Sequence, residues 1–338
     1  MLEKPDLQDR LIISRLQNEY GLNVNQITFL PLGADVNTAV FRVVTVDETA
    51  YFLKLRKGDF NNITVTVPQF LKTLGIQSII APLETRDHQR WTNVEEYKMI
   101  LYPFIEGQNG YEVSLSNQQW LEFGTALKRI HTAQLPANLI KFIPRETYSP
   151  QWREMVKTFQ SQIEENAFND PTAAKLAALM KTKRNEISSL VMCAEELGFA
   201  LQSRSLPFVL CHSDIHAGNL LIGANDALYI VDWDNPIFAP KERDLTLIGG
   251  CDIWHNARVE ALFYRGYGQR NVDLMALAYY RYERIIQDIA AFCQQLLLTG
   301  EGGKDREQGF RYFATQFLPN HEVDIAFKTD GLLTNSNI

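Results

Sequence analysis

The residues best suited to chemistry fall in one stretch of the chain. His212-Ser213-Asp214-Ile215-His216-Ala217-Gly218-Asn219 crowds a carboxylate, an amide and two imidazoles together, and Ile230-Val231-Asp232-Trp233-Asp234 follows soon after. Asp214 is a candidate proton acceptor. Asn219 and Asp232 offer oxygen, which a hard cation such as magnesium prefers. Between them, Leu220-Leu221-Ile222 and Leu228 to Asp232 predict two short strands joined by the turn Gly223-Ala224-Asn225-Asp226. Such a hairpin returns Asp232 to the loop that carries Asp214 and Asn219. Three convergent oxygen donors suit phosphoryl transfer, where catalysis is mostly positioning and charge neutralisation.

The elements that must position this loop read as follows. Residues 6–20 place Leu7, Leu11, Ile12 and Leu16 at helical spacing before Gly21. Residues 26–32, 38–46 and 51–55 read as strands, with Asp47-Glu48-Thr49 as a turn. In 61–74 the run Thr64-Val65-Thr66-Val67-Pro68 disfavours a helix, so helix is expected only over the second half, up to Gly75. Residues 78–83 and 97–103 read as further strands, and Gly107-Gln108-Asn109-Gly110 as a flexible connection. Ser116 is an expected N-cap for a helix carrying Trp120, Phe123, Leu127 and Ile130, stopped at Pro136. The chain then reads as helical to 205, and again from the hairpin to about Gln316, with the last ten residues frayed. The result is a small β-rich N-terminal part and a larger helical remainder.

The net charge of -7 argues against a general nucleic-acid binder. No apolar run reaches the length of a membrane span, and Met1-Leu2-Glu3-Lys4-Pro5-Asp6 lacks the pattern of a signal peptide. Cys193, Cys211, Cys251 and Cys293 form no zinc-like spacing, and Cys211, after Phe208-Val209-Leu210, reads as a buried strand cysteine. The expectation is a cytoplasmic monomer that binds neither nucleic acid nor membrane. Gly300-Glu301-Gly302-Gly303-Lys304-Asp305 lacks the spacing of a P-loop and reads as a surface loop.

H-x-D-x-H-x-x-N with D-W-D thirteen residues on resembles the aminoglycoside phosphotransferase family, a branch of the protein-kinase-like group. The resemblance implies an α+β, two-lobed fold: residues 1–105 as an antiparallel-sheet nucleotide lobe ending in a hinge, and 106–338 as a mainly helical lobe with the catalytic loop and substrate pocket. It implies ATP and Mg2+ as cofactors. By the same resemblance Asp214 accepts the acceptor's proton, His216 approaches the transferred phosphate, and Asn219 and Asp232 ligate magnesium. Ser213 stands where the family commonly has glycine. Asp244 matches a family aspartate that braces the loop, His212 anchors the loop, and His131 reads as a packed residue.

Lys54, alone among the apolar residues of Tyr51-Phe52-Leu53-Lys54-Leu55, looks like the kinase lysine that contacts the α- and β-phosphates. Gly33, Asp35 and Asn37 belong to the turn expected to cover the phosphates, and Leu101, Tyr102, Phe104 and Ile105 to the hinge around adenine. The family's glutamate partner for the lysine is missing. Asp59, the amides of Asn61 and Asn62, and Asp232 are the open alternatives.

The flanks narrow the resemblance. Leu210-Cys211 before the loop, Ala239-Pro240-Lys241-Glu242-Arg243-Asp244-Leu245, Tyr279 to Ala290, Tyr102 to Ile105 and Tyr148 to Glu154 are similar to the branch that phosphorylates the aminocyclitol antibiotic spectinomycin, which implies resistance. A cationic acceptor needs acidic partners; Asp234, Glu242, Glu283 and Asp288 are the candidates, with Trp152, Tyr279 and Tyr280 as possible lining. A housekeeping kinase of choline, homoserine or methylthioribose type is the alternative, and a nucleotide-binding pseudokinase regulator a further one.

Overall fold

The computed structural model describes residues 3–33, 35–249, 256–268, 270–300 and 302–335, without the side chains of 334 and 335. Met1, Leu2, Cys251 and Glu301, named among the sequence features above, lie outside the described residues. Packing divides the chain into two units, Met1–Ile143 with His216–Pro236 and Pro144–Ile215 with Ile237–Ile338. Packing groups residues 106–143 and the hairpin with the sheet.

The first unit opens with helix α1 (Asp9–Tyr20), closed by Gly21 in the left-handed conformation at φ 73°. Strands β1 (Val24–Leu30), β2 (Thr38–Thr45), β3 (Ala50–Lys57), β4 (Thr92–Val94) and β5 (Tyr97–Pro103) form one antiparallel sheet in the order β1-β2-β3-β5-β4. Leu53 and Leu55 of β3 pack with Ile12 and Leu16 of α1 and with Phe41 and Met99. Alternation along the strand turns Lys54, between those leucines, to the other face. In register Lys54 lies opposite Val40 of β2 and Ile100 of β5.

Helix α2 (Ile63–Thr73) runs through the β-branched stretch and through Pro68, where helix was expected only in the second half. Burial of Ile63, Val65, Val67, Pro68 and Leu71 outweighs the poor propensities, and Asn61 Oδ1 accepts from the Ile63 N–H at 3.1 Å at its start. Residues 78–83 form no strand. Only Ile79 bridges to Ile230, and Pro82, which has no N–H, interrupts any ladder.

The connection expected to be flexible is strand β6 (Gly107–Asn109). It pairs with the hairpin so closely that a Cβ on Gly107 would stand 2.1 Å from the Ile222 carbonyl oxygen. Helix α3 (Asn117–His131) begins with the expected Ser116 cap, as a capping box with Gln119. It ends at His131, and Pro136 instead precedes the short α4 (Ala137–Ile140).

The second unit holds α5 (Gln151–Glu165), α6 (Pro171–Thr182), α7 (Arg184–Gln202) and β7 (Phe208–Cys211). The chain then enters the first unit for the hairpin β8 (Leu220–Gly223) and β9 (Leu228–Ile230). Back in the second unit, β10 (Ile237–Pro240) pairs antiparallel with β7 where only helix was expected; four residues are too few to show a period.

Helices α8 (Ala257–Tyr267), α9 (Leu274–Leu297), α10 (Gly303–Thr315) and α11 (Glu322–Asn335) complete the unit. The apolar face of α9 carries Tyr282, Ile285, Ile286, Ile289 and Cys293 into a core shared with α5, α6 and α7. The tail expected to fray is helical to Asn335, held by buried Val323 and Ala326 and by Tyr282 donating to Asp330 at 3.1 Å. No helix among the described residues is long and apolar enough to cross a membrane.

Candidate active site

The first unit collects charges around Lys54. Its ammonium donates to Asp232 Oδ1 at 2.6 Å and to Asp234 Oδ1 at 2.7 Å, while Arg56 Nη1 meets Asp234 Oδ2 at 2.9 Å. The undecided partner of the lysine is thus the pair of carboxylates in Asp232-Trp233-Asp234, and Asp59 is not among its contacts. Burial opposes the Lys54 charge, but the two carboxylates outweigh it and hold its pKa above the ordinary lysine value. Burial and the neighbouring charge of Asp232 push Asp234 upward, against the pull of Lys54 and Arg56. Asp234, expected against a substrate ammonium, is instead committed to two cations of the sheet.

Asp232 belongs to this cluster and follows the hairpin, while Asn219 precedes it. The Val231 N–H donates to the Asn219 carbonyl at 3.0 Å, which ties the two segments together. Asn219 is buried, and Asp232 takes the left-handed conformation at φ 65° while the Trp233 ring donates to the Ile230 carbonyl at 3.1 Å. His216 Nδ1 accepts from the Gly218 N–H at 3.1 Å, so the neutral ring carries its proton on Nε2. Tyr111 stacks on that ring with centroids 6.0 Å apart. A Cβ on Gly218 would meet His216 at 2.9 Å and Tyr111 at 3.0 Å, which explains glycine there.

Asp35 caps its own turn, accepting from the Asn37 N–H at 2.8 Å and from the Thr38 hydroxyl at 2.6 Å. Gly33 in the same turn has φ 83°. Of the expected hinge residues, Leu101 is buried in the sheet core and its carbonyl accepts from Leu83 at 2.7 Å. Tyr102 sits edge-on to Phe52 at 6.4 Å, and burial raises its phenol. Phe104 carries the Arg42 guanidinium 5.1 Å above its ring, and Ile105 packs at Gly223.

The second unit carries Asp214. Asp244, fully buried, accepts from the backbone N–H of His212 at 2.8 Å and of Ser213 at 2.7 Å, so it braces the loop as expected. Ser213 itself is left-handed at φ 72°, the conformation glycine adopts most readily. His212 is buried, and its Nδ1 accepts from the Asp214 N–H at 3.3 Å. The Asp214 carboxylate pairs with Arg284 Nη1, and Arg284 Nε reaches Asp288 Oδ2 at 3.2 Å. Asp288 first, then Asp214, raise the Arg284 pKa against its burial.

Arg284 carries no signal of this role in the sequence. Its i,i+4 relation to Asp288 is visible there, but its contact with Asp214 spans 70 residues.

Two other expected acceptor ligands are committed elsewhere. Glu242 is 2% exposed, paired with Lys241 at 2.7 Å and accepting from the Asp273 N–H at 2.9 Å at the start of α9. Glu283 is buried against Arg153 at 2.5 Å, and burial pushes its carboxyl up to about 7 despite that cation. Tyr279 and Tyr280 are buried in the packing of this unit, and Trp152 packs against its helical core. Cys211 is buried, with burial raising its thiol well above the usual range.

This chemistry has counterparts. The phosphotransferase enzyme family matches residues 28–278. No curated protein matches the chain. The crystal structure of spectinomycin phosphotransferase, APH(9)-Ia, in complex with ADP and spectinomycin is 37% identical, with TM-score 0.89 over 96% of this chain and 99% of that one. The AMP-bound complex of the same enzyme is 36% identical, with TM-score 0.84 over 94% and 98%. Choline kinase LicA from Streptococcus pneumoniae, 14% identical with TM-score 0.57 over 97% and 99%, shares the fold. The chain therefore belongs to the phosphotransferase enzyme family, as a kinase-type enzyme with the protein-kinase-like fold of the aminoglycoside phosphotransferases.

Proposed function

We propose that the chain transfers the γ-phosphoryl group of ATP to a hydroxyl of spectinomycin and thereby confers resistance to it. The observation that carries this reading is the 37% identity, along 96% of the chain, to a phosphotransferase seen with ADP and spectinomycin. The reading assigns the working residues as follows. Lys54, held by Asp232 and Asp234, contacts the α- and β-phosphates. Residues 1–105 form the nucleotide lobe, with Gly33, Asp35 and Asn37 over the phosphates and Leu101, Tyr102, Phe104 and Ile105 about the adenine. Residues 106–338 carry the catalytic loop and the acceptor pocket.

Asn219 and Asp232 fit Mg2+, since an amide and a carboxylate oxygen on one hairpin are hard donors of the kind it takes. When bound, the ion neutralises charge on the phosphates. Asp214 accepts the proton of the acceptor hydroxyl, and His216 offers its Nε2 proton to the transferred phosphate. Asp288, paired with Arg284, is the carboxylate we assign to an acceptor ammonium. The described cysteines Cys193, Cys211 and Cys293 are free thiols, in keeping with action in the cytoplasm, and we take the working form to be a monomer.

A coupled assay of ADP release tests this. ATP turnover should depend on spectinomycin and fall by about 10²–10⁴-fold in Asp214→Ala with folding retained. Turnover of choline or homoserine with none of spectinomycin would instead make the protein a metabolite kinase.

A further inference from the structure

Strand β3 sends two cations to one face, since Lys54 and Arg56 stand two residues apart. Two carboxylates meet them, one on either side of Trp233. Lys54 Nζ lies 2.6 Å from Asp232 Oδ1 and 2.7 Å from Asp234 Oδ1. Arg56 Nη1 lies 2.9 Å from Asp234 Oδ2. Asp234 thus gives one oxygen to each cation of the strand. Helix α2, the next element after β3, has no Asp or Glu in its length and so supplies no anion to the lysine.

The two carboxylates are placed differently. The Asp232 side chain is 45% exposed and that of Asp234 21%. Asp232 follows Val231, whose N–H donates to the Asn219 carbonyl at 3.0 Å, so it stands beside the other residue assigned to magnesium. Between the two, buried Trp233 donates its ring N–H to the Ile230 carbonyl at 3.1 Å. With the segment held there, each carboxylate turns about its own side-chain bonds. A hard cation draws in carboxylate oxygen. Turning to it would take Asp234 from both cations at once and leave Arg56, only 20% exposed, without its carboxylate. Asp232, more exposed and next to Asn219, is the one placed to make that turn.

We propose that Arg56 is a positioning residue that reserves Asp234 for Lys54 and leaves Asp232 to the metal. The inference rests on the reading of the chain as an ATP-dependent phosphotransferase with Lys54 on the phosphates. In the free chain both carboxylates hold the lysine. When Mg2+ and ATP bind, Asp232 turns away, and Asp234, pinned by Arg56, keeps the ammonium aimed at the α- and β-phosphates. One three-residue segment thereby sets the lysine and the metal ligand in register, and α2 has no part in it.

The test uses variants of the full chain, read by phosphate transfer to spectinomycin and by crystal structures with ADP and Mg2+. Asp234→Asn should lower kcat about 10²-fold, the scale of a misplaced contact, with KM for spectinomycin within about twofold of wild type. Arg56→Met should lower kcat about fivefold, the size of a partly exposed ion pair, and Arg56→Lys should recover most of it. Added to Asp234→Asn, Arg56→Met should cost less than about twofold more, because Arg56 acts through Asp234. In the wild-type complex Asp234 should remain on Lys54 and Arg56 while Asp232 has turned to the ion; in Arg56→Met, Asp234 should have left the lysine. The crystal structures report on the carboxylates whatever the acceptor proves to be. Asp234 on the ion in the wild type, unchanged transfer by Arg56→Met, or a loss that persists in full in the double variant overturns the proposal. Undiminished transfer by Lys54→Met would overturn the assignment of Lys54 itself.

Discussion

Each unit of this chain holds a cation between two carboxylates, and the two clusters differ chiefly in how deeply that cation is buried. Lys54, 7% exposed in the middle of β3, lies between Asp232 and Asp234. Arg284, a third exposed on α9, lies between Asp214 and Asp288. Attraction between charges deepens as water is excluded, and so does the cost of leaving one unpaired. The sheet on both sides of β3 fixes where the lysine starts, whereas the arginine reaches from a helix and divides its nitrogens between partners. The same composition of charges makes a fixed part of the fold in one unit and an exchangeable contact in the other.

Lys54→Met is the sharpest way to break this comparison. It leaves Asp232 and Asp234 facing each other, with Arg56 beside only the second. The expected loss is about 3 kcal/mol in urea denaturation, together with loss of ATP binding. The matching change at Arg284 should cost about 1 kcal/mol or less. Equal losses would show that exposure does not separate the clusters.

A second prediction asks whether burial, rather than the unit, decides. Arg153 and Glu283 lie in the same unit as Arg284, yet each is only 4% exposed. Burial raises Glu283 from an ordinary 4.5 to about 7, with Arg153 pulling the other way. The folded state therefore favours the protonated carboxyl. Its contribution is fully present below pH 4.5 and is lost as pH rises through 7. Relative to Glu283→Gln, the wild type should lose about 3 kcal/mol of stability over that window. Parallel stability curves for the two proteins would mean that Arg153 holds the carboxylate ionised throughout.

The same clusters mark how far the sequence by itself can be read. Asp214, Asn219 and Asp232 are legible in it because one loop and one short hairpin carry them, so their spacing is local. Asp232 stands among the alternatives for the partner of Lys54, but the second partner, Asp234, does not, because no local pattern links residues 180 apart. Arg284 escapes notice for the same reason. Asp234 and Glu283 read as candidate partners of a cationic acceptor, since sequence shows a charge but not the cation that a fold packs against it. Among the elements, α1, β2, β5 and α3 have a clear period or cap. The strands β4, β6 and β10 are three or four residues long, too short to show one. In α2 the local propensities point away from helix, and burial of its apolar face prevails.

The smallest expected effect tests what holds the loop beneath Asp214. Ser213 and Asp232 both adopt left-handed backbone, at φ 72° and 65°, one beside each cluster. For a residue with a Cβ this conformation costs about 1 kcal/mol, and glycine avoids most of that cost. Glycine also gives the unfolded chain more freedom, which takes back about half of the gain. Ser213→Gly should therefore stabilise the protein by only about 0.5 kcal/mol in denaturant titration, with transfer within about twofold of wild type. The bond from the Ser213 N–H to Asp244 at 2.7 Å survives the change, because it uses backbone and not the serine hydroxyl. If stability falls instead, the serine side chain itself contributes to the loop, and the exchangeable cluster rests on a firmer base than its exposure indicates.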